Sequence, residues 1–435
     1  MSFADPAMFR PADFGRPYWA EAMPEPPPPA DPARLPASAD VVVVGAGYTG
    51  LNAALTAARA GLDVVVIDRD YPGAGASGRN GGHVSSSMKP DEDELARRIG
   101  TGKAREVLSL GLAAQAYLNR LIAEERIDCD LETPGHFMGA HKPEAVSGLK
   151  AWAEGQRALG VPVDWIERTD QHAIVGSDHF LGGVFMPSWQ SLHPGKYVSG
   201  LAARVEAAGA RILPGLALLS VARRQGRVEL SLSGGRQVAA RHAVLGMNAQ
   251  VGPAVPNLRR QVIPIASVQV STAPLDPSLV RRLHPRRAMV YDSRRLVTYS
   301  RVSPDGTRIL VGSRVPFAFG HPERSRAAMQ ARMARVFPEL TGTPTDHLWG
   351  GLVAYTPDHL PHIGSDAGLH HAMGYCGTGV AMASYLGHLL GRRVAGEEAA
   401  TALDEIAGAS LPFYNGRPWF LPAVMAWYGF EDRFR

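Results

Sequence analysis

The run Asp40-Val41-Val42-Val43-Val44 leads straight into Gly45-Ala46-Gly47-Tyr48-Thr49-Gly50, and this junction constrains the chain more than any other stretch. The β-branched run suits a strand buried on both faces. Leu51, Ala54, Leu55 and Ala58 then recur at helical spacing, Gly61 stops the helix, and a second apolar strand, Val64-Val65-Val66-Ile67, ends at Asp68. A glycine-rich turn between strand and helix, with an acidic residue closing the next strand, is the unit that cradles a dinucleotide. In it Gly45 permits the tight turn, Gly47 lets backbone approach a pyrophosphate, and Gly50 lets helix pack on strand. The helix start at Tyr48 and Thr49 offers free N–H groups and a partial positive charge to phosphates. Asp68 is placed to accept hydrogen bonds from ribose hydroxyls. NAD, NADP and FAD share this cradle, although a carboxylate at Asp68 repels the 2′-phosphate of NADP even with Arg69 beside it.

At 435 residues, with 45 % apolar and 20 % charged types, the chain is long enough for two or three domains and excludes a disordered, collagen-like or coiled-coil protein. Lys and Arg number 45 against 41 Asp and Glu, a net +4 that gives no argument for nucleic acid. The two cysteines, Cys129 and Cys376, provide no disulfide framework and no CxxC motif, and no HExxH or paired-histidine metal spacing occurs. No metal is expected. The N-terminus lacks a basic segment followed by an apolar one, and the uncharged stretch from Val41 to Ala58 is broken by glycines, Thr49 and Asn52. A cytoplasmic protein without a membrane-spanning segment is the expectation. Residues 1–38, with prolines concentrated between Pro24 and Pro36, read as an extended tether over the surface.

After the second strand comes Gly73-Ala74-Gly75-Ala76-Ser77-Gly78-Arg79-Asn80-Gly81-Gly82-His83, a backbone stripped of Cβ atoms that suits close approach to a flat ligand. With this segment the chain resembles the D-amino-acid-oxidase-like (DAO) family of FAD-dependent amine and amino-acid oxidoreductases, over nearly its whole length. Trp19, the Asp40 start and Trp427-Tyr428 look most like its γ-glutamylputrescine oxidase branch. The resemblance implies a Rossmann-like α/β FAD domain interleaved with a substrate domain on an antiparallel sheet. It makes Ser77, Gly78, Arg79, Asn80, Gly81 and Gly82 the second cofactor motif, and gives Leu218 a backbone contact to adenine. Gly377, Thr378, Gly379 and Val380 become the flavin-ring loop, where a helix N-terminus stabilises negative charge on a reduced flavin. Thr378 stands where relatives commonly carry His, so a positive charge near the ring is missing. Cys376 stands where they carry Ser or Asn and is read as a packing residue. The attaching cysteine of the sarcosine-oxidase branch has no counterpart before Leu352-Val353-Ala354-Tyr355, so FAD is expected to be non-covalent.

The motifs place the cofactor segments at 39–90, 191–254 and 346–400, the substrate domain at 91–190 and 255–345, and a C-terminal arm at 401–435. Pro90-Asp91-Glu92-Asp93-Glu94 fits a helix start, which gives its carboxylates a structural reason. Val262–Thr272, Ala288–Asp292, Leu296–Val302 and Arg308–Ser313 alternate as strands. On them Tyr291, Asp292, Tyr299 and Arg301 are candidates to face a cavity, with Arg301 as partner for a substrate carboxylate or, alternatively, for Asp292. His83 is a candidate to gate substrate or tune the flavin, or else a hydrogen-bonded core histidine. Arg281, Arg282, Arg286, Arg287, Arg294 and Arg295 form the one basic concentration, a solvated face by default.

By resemblance the substrate is a small amine or amino acid, bound neutral, whose hydride passes to flavin N5 and whose imine is hydrolysed to aldehyde or keto acid. Oxygen or an electron-transfer partner takes the electrons. Oxidation of a 2-hydroxy acid, a flavin-dependent RNA-modifying role through the arginines, and a non-catalytic cofactor-binding module are the alternatives.

Overall fold

A computed structural model describes residues 10–314 and 322–434. In chain order its elements begin with β1 (Ser38–Val44), α1 (Tyr48–Arg59), β2 (Val64–Asp68), β3 (His83–Val84), α2 (Glu92–Ile99) and α3 (Thr101–Glu124). Next come β4 (His136–Gly139), α4 (Pro143–Ala158), β5 (Asp164–Ile166), β6 (Gly183–Met186), β7 (Gln190–Ser191), α5 (Pro194–Ala207) and β8 (Arg211–Pro214). β9 (Leu218–Arg224), β10 (Arg227–Leu232), β11 (Arg236–Leu245), α6 (Pro256–Arg259), β12 (Ile263–Thr272), α7 (Pro277–Leu283), β13 (Met289–Asp292), β14 (Thr298–Val302) and β15 (Ile309–Ser313) follow. The chain continues with α8 (Pro322–Val336), β16 (Thr345–Tyr355), β17 (His362–Asp366), β18 (Leu369–Met373), α9 (Gly379–Val394) and α10 (Leu421–Phe434).

The first sheet has the order β17-β18-β11-β1-β2-β8, with β10 and β9 branching from β11. Its centre is parallel: Val41–Val44 align with Val64–Ile67 on one side and with His242–Leu245 on the other. The valine runs sort by the two-residue period of a strand. Val41, Val43, Val64 and Val66 pack under helices α1, α3, α5 and α9, while Val42, Val44, Val65 and Ile67 pack on the opposite face with Leu230 and Val238. Burying a valine on either face contributes about 1.5–3 kcal/mol, which is why Val41–Val44 and Val64–Ile67 are apolar without a break.

The second sheet has the order β16-β12-β15-β14-β13-β4-β6-β5. It draws β4–β6 from the first insertion and β12–β15 from the second, and its pairs are antiparallel except β13 with β4, which run parallel. One boundary shifts. β16, grouped by sequence with cofactor segment 346–400, pairs along ten positions with β12 and so completes the second sheet. Its glycines and alternating apolar residues serve a sheet edge as well as they serve a cofactor wall.

The N-terminal arm is likewise more than a tether. Pro24–Pro29 do run exposed, but Tyr18 and Trp19 are buried with Leu310 and Trp349. The Trp19 ring meets His193 edge-on at 4.8 Å, and its Nε1 donates to the Asn80 carbonyl at 2.8 Å. At the other end of the chain α10 is docked rather than loose: the Asp432 carboxylate accepts from the backbone N–H groups of Arg295 and Leu296, and Glu431 pairs with Arg295 at 2.8 Å. Residues 1–9 lie outside the described residues. No helix among the described residues is long and apolar enough to cross a membrane.

Candidate active site

The turn after β1 is built as its glycines require. Gly45 has φ +101°, a left-handed conformation, and a Cβ there would press on the Gly246 carbonyl; a Cβ at Gly50 would run into the Gly45 carbonyl oxygen. Gly47 faces Ser77, whose hydroxyl accepts from the Tyr48 N–H at 3.0 Å, so the two glycine-rich motifs are tied to each other. Tyr48 and Thr49 turn their side chains into the protein: the Tyr48 hydroxyl donates to the Pro194 carbonyl, and Thr49 bonds the Tyr375 hydroxyl at 2.6 Å. Asp68 braces the loop, accepting from the N–H groups of Ala46 at 2.7 Å and Asp70 at 2.8 Å, while burial raises its carboxyl pKa. Arg69 pairs with Asp70 at 3.0 Å, which spends its charge locally.

Residues 76–82 are held from three directions. Arg79, buried, donates through Nε to the Gly350 carbonyl at 2.7 Å and through Nη2 to the Gly15 carbonyl. Its own carbonyl accepts from Gln269 Nε2 at 2.7 Å and Trp349 Nε1 at 3.0 Å. Asn80 caps the turn, its Oδ1 accepting from the Gly82 N–H at 2.8 Å. Gly82 has φ +72° and passes so close to the Leu192 carbonyl that no side chain fits. Arg79 and Asn80 thus act as struts of this segment; their types were read from the sequence, their partners were not.

These loops line a trough of about 570 Å³ that runs from Asp68, Leu216 and Leu218 past Gly45–Thr49 and Gly73–Asn80 to Gly351–Ala354 and Tyr375–Val380. At the far end Thr378 caps α9, whose first residue is Gly379, so free N–H groups face the end of the trough. Cys376 lies in the trough wall, with its Sγ beside the Gly374 carbonyl at 3.2 Å and the Thr356 hydroxyl at 3.5 Å. Burial pushes its thiol pKa up, as suits a packing residue. A long, glycine-walled trough with a buried carboxylate, Asp68, at one end and a helix N-terminus at the other fits an elongated dinucleotide carrying a flat ring.

Adjoining the trough, and sharing with it Ala76, Arg79, Asn80, Gly351–Val353, Gly377 and Val380, is a chamber of about 250 Å³. His83, His136, Tyr291, Tyr299 and Tyr355 line it together with Ser85, Ser87, Lys89 and Arg314. The His83 ring stands edge-on to His136 at 5.3 Å and to Tyr299 at 5.2 Å, and its Nε2 is buried without a partner. Burial and the neighbouring His136 and Arg301 hold His83 well below the usual histidine range, so the ring is neutral. His136 donates through Nε2 to the Gln190 carbonyl at 2.8 Å, leaving Nδ1 unpaired; burial lowers its pKa to about 3. The Tyr299 hydroxyl lies 3.3 Å from Ser267 Oγ.

Arg301 is a correction. It sits two residues from Tyr299 on β14 but does not line the chamber; its Nη1 donates to the carbonyls of Gly81 at 3.0 Å and Leu192 at 2.8 Å, and its guanidinium lies 5.3 Å over the Trp19 ring. The carbonyls beneath the glycine-rich segment need a donor, and Arg301 is spent on them. Nor does it pair with Asp292, which points to the opposite face of β13 and bonds Arg294 at 2.9 Å. Of the arginine concentration, Arg281, Arg282, Arg286 and Arg295 are exposed, as a solvated face requires, while Arg287 bonds the carbonyls of Ser303 and Pro304 and Arg294 pairs with Asp292. The chamber cations Lys89 and Arg314 escaped sequence reasoning because one follows a featureless serine run and the other falls just past the end of β15.

The DAO family model, described as FAD dependent oxidoreductase, matches residues 40–393. The chain belongs to this family. It is an FAD-dependent oxidoreductase, and the trough is where its residues fit that cofactor. It is 31 % identical over 405 residues to a probable oxidoreductase OrdL of Rhizobium meliloti, covering 91 % of this chain and 92 % of that one. It is 30 % identical over 403 residues to γ-glutamylputrescine oxidoreductase of Escherichia coli, covering 91 % and 93 %. In fold it is similar to glycine oxidase from Geobacillus kaustophilus, with a TM-score of 0.74 at 20 % identity, over 86 % of this chain and all but 1 % of the other.

Proposed function

We propose that the protein oxidises the C–N bond of a small amine or amino acid, as the names of γ-glutamylputrescine oxidoreductase and glycine oxidase describe for those proteins, and that it binds FAD without a covalent bond. The observation that carries the reading is the chamber: it opens onto the trough where Gly351–Val353, Gly377 and Val380 form a common wall, and among the described residues no Asp or Glu lines it. A charged ammonium finds no counter-ion there, so the amine binds in its neutral form, with the nitrogen lone pair available.

FAD, when bound, supplies the two-electron acceptor for a hydride from the carbon next to nitrogen. The chain supplies position and polarity. His83 Nε2, neutral and without a protein partner, is free to hydrogen-bond the substrate nitrogen, and Tyr299, Tyr291 and His136 wall it in and exclude water. Leu218 borders the Asp68 end of the trough and is assigned to the adenosine half, while Gly377–Val380 and the start of α9 are assigned to the ring end.

An anaerobic absorbance screen tests this. The 450 nm band of the purified holoprotein is expected to bleach with γ-glutamylputrescine, putrescine, N-methylated amino acids or simple amino acids. Bleaching by 2-hydroxy acids alone overturns the assignment to C–N bonds. Following reoxidation with oxygen and with a quinone then separates oxidase from dehydrogenase.

A further inference from the structure

The trough takes part of its wall from the N-terminal arm. Arg10 and Phe14 line it together with Asp68, Arg69 and Asp70, whereas the match to the family begins only at residue 40. Between them runs a single turn of 3-10 helix, Pro11–Phe14. Phe14 is buried in the core cluster that holds Val44, Val65, Ile67 and Leu216, and the next residue, Gly15, gives its carbonyl to Arg79. Arg10 is fixed at the start of the turn, where its Nη1 donates to Asp70 Oδ1 at 3.0 Å and its backbone N–H donates to Asp13 Oδ2 at 2.7 Å. Asp70 stands two residues past Asp68, so the Arg10 guanidinium lies at the end of the trough assigned above to the adenosine half.

Arg10, Arg69 and Arg79 are the cations among the described residues that line the trough. Arg79 is buried, with Nε and Nη2 on the carbonyls of Gly350 and Gly15, and Arg69 lies on Asp70 with 20 % of its side chain exposed. Arg10 keeps 55 % of its side chain exposed although it borders the trough. At the same end Leu219 follows Leu218 in the trough wall and is 58 % exposed, a large apolar side chain left to water. A guanidinium is planar and stacks on flat π-systems, purine bases included, and an aliphatic side chain packs on the face of a base equally well. Covering both with one base removes apolar surface from water and leaves the Arg10–Asp70 pair intact.

We propose that Arg10 and Phe14 form a third cofactor segment, supplied by the arm, in which the Arg10 guanidinium covers the adenine of FAD and closes the adenosine end of the site over the bound dinucleotide. The proposal concerns the cofactor and goes beyond the C–N oxidation reading, which plays no part in it. Trp19 Nε1 donates to the Asn80 carbonyl and the Ala30 N–H to the Pro214 carbonyl at 2.8 Å, so the arm is fastened further along the chain and FAD leaves only when the stretch around Arg10 lifts.

Flavin release from the full-length holoprotein decides it. Fluorescence of free FAD on dilution is expected to give a dissociation constant about three- to thirtyfold weaker for Arg10→Ala than for wild type. Thermal melting in excess FAD is expected to stay close to wild type, since the side chain is half-exposed. Arg10→Lys keeps the charge for Asp70 but has no planar face, and is expected to lose nearly as much; full recovery by lysine reduces the role to an ion pair and overturns the proposal. FMN, which shares the flavin and lacks the adenosine half, localises the contact. Holoprotein exchanged into FMN is expected to release it equally fast in wild type and Arg10→Ala, and a loss as large for FMN as for FAD overturns the proposal. Where FMN binds too weakly to follow, ADP is titrated as a competitor of FAD: its affinity is expected to fall by the same factor in Arg10→Ala, and an unchanged ADP affinity overturns the proposal. FAD retention unchanged in Arg10→Ala does so outright, while leaving the dependence on FAD and the C–N oxidation reading intact.

Discussion

Trp19 gives the sharpest stability prediction, because a residue from the arm holds up a cofactor loop more than 60 positions away. Its indole is fully buried, meets Tyr18, His193 and Trp349 edge-on at 5.3, 4.8 and 6.4 Å, and carries the Arg301 guanidinium on its face. Trp19→Ala removes the ring and leaves a cavity, at a cost of about 3–5 kcal/mol. It also strips the Asn80 carbonyl of its donor, about 1–3 kcal/mol of desolvation. Trp19→Phe keeps most of the buried area and loses only the donor, so it isolates the second quantity. Because Asn80 lies in the cofactor segment, that loss is expected at the flavin: about 1–3 kcal/mol is a five- to 150-fold weaker FAD affinity. Flavin fluorescence on dilution and thermal melting with and without added FAD measure both. Trp19→Phe is expected to melt near wild type but release FAD more readily, and Trp19→Ala to fail on both counts. If both variants melt and hold FAD as wild type does, the arm is a tether after all and the argument is refuted.

Three further outcomes follow. Gly50→Ala forces a Cβ onto the Gly45 carbonyl and is expected to give protein purified without its yellow colour, read as the 450 to 280 nm absorbance ratio. Asp68→Ala removes the brace of the Ala46 and Asp70 N–H groups, and with it the carboxylate proposed to meet the ribose, and is expected to raise the FAD dissociation constant by tenfold or more in an equilibrium titration. For pH, the folded state keeps His136 neutral down to about pH 3, whereas the unfolded chain protonates it below about 6.5. The histidine therefore costs nothing above pH 6.5 and destabilises the fold by roughly 1.4 kcal/mol per pH unit as pH falls below that. His136→Gln is expected to flatten the acid limb of stability against pH, measured by melting from pH 7.5 to 5; an unchanged limb contradicts the burial argument.

The cofactor half was the legible half. Its information is local: a strand period of two in Val41–Val44, three glycines at fixed offsets and an acid at Asp68 each obey a rule that operates within a few residues. The chamber was less legible because its walls are assembled from eight separate stretches of chain, so that Lys89, His136, Tyr299, Arg314 and Tyr355 become neighbours only once the second sheet closes. Arg301 shows the hazard directly. Alternation on β14 correctly placed it on the face of Tyr299, but which arginine is consumed by backbone carbonyls is decided by Gly81 and Leu192, and no strand pattern carries that. Trp19 escaped for the same reason, since a tryptophan before a proline run has no local signature of a buried anchor.

The most direct test of the central claim is a quantitative anaerobic titration of the holoprotein with the best amine or amino acid from the screen, coupled to product analysis. One equivalent of substrate per bound flavin is expected to complete the bleaching and to yield one equivalent of aldehyde or oxo acid with the released ammonia or amine. Flavin that stays oxidised in the presence of every amine and amino acid, or that bleaches without cleavage of a C–N bond, contradicts the account.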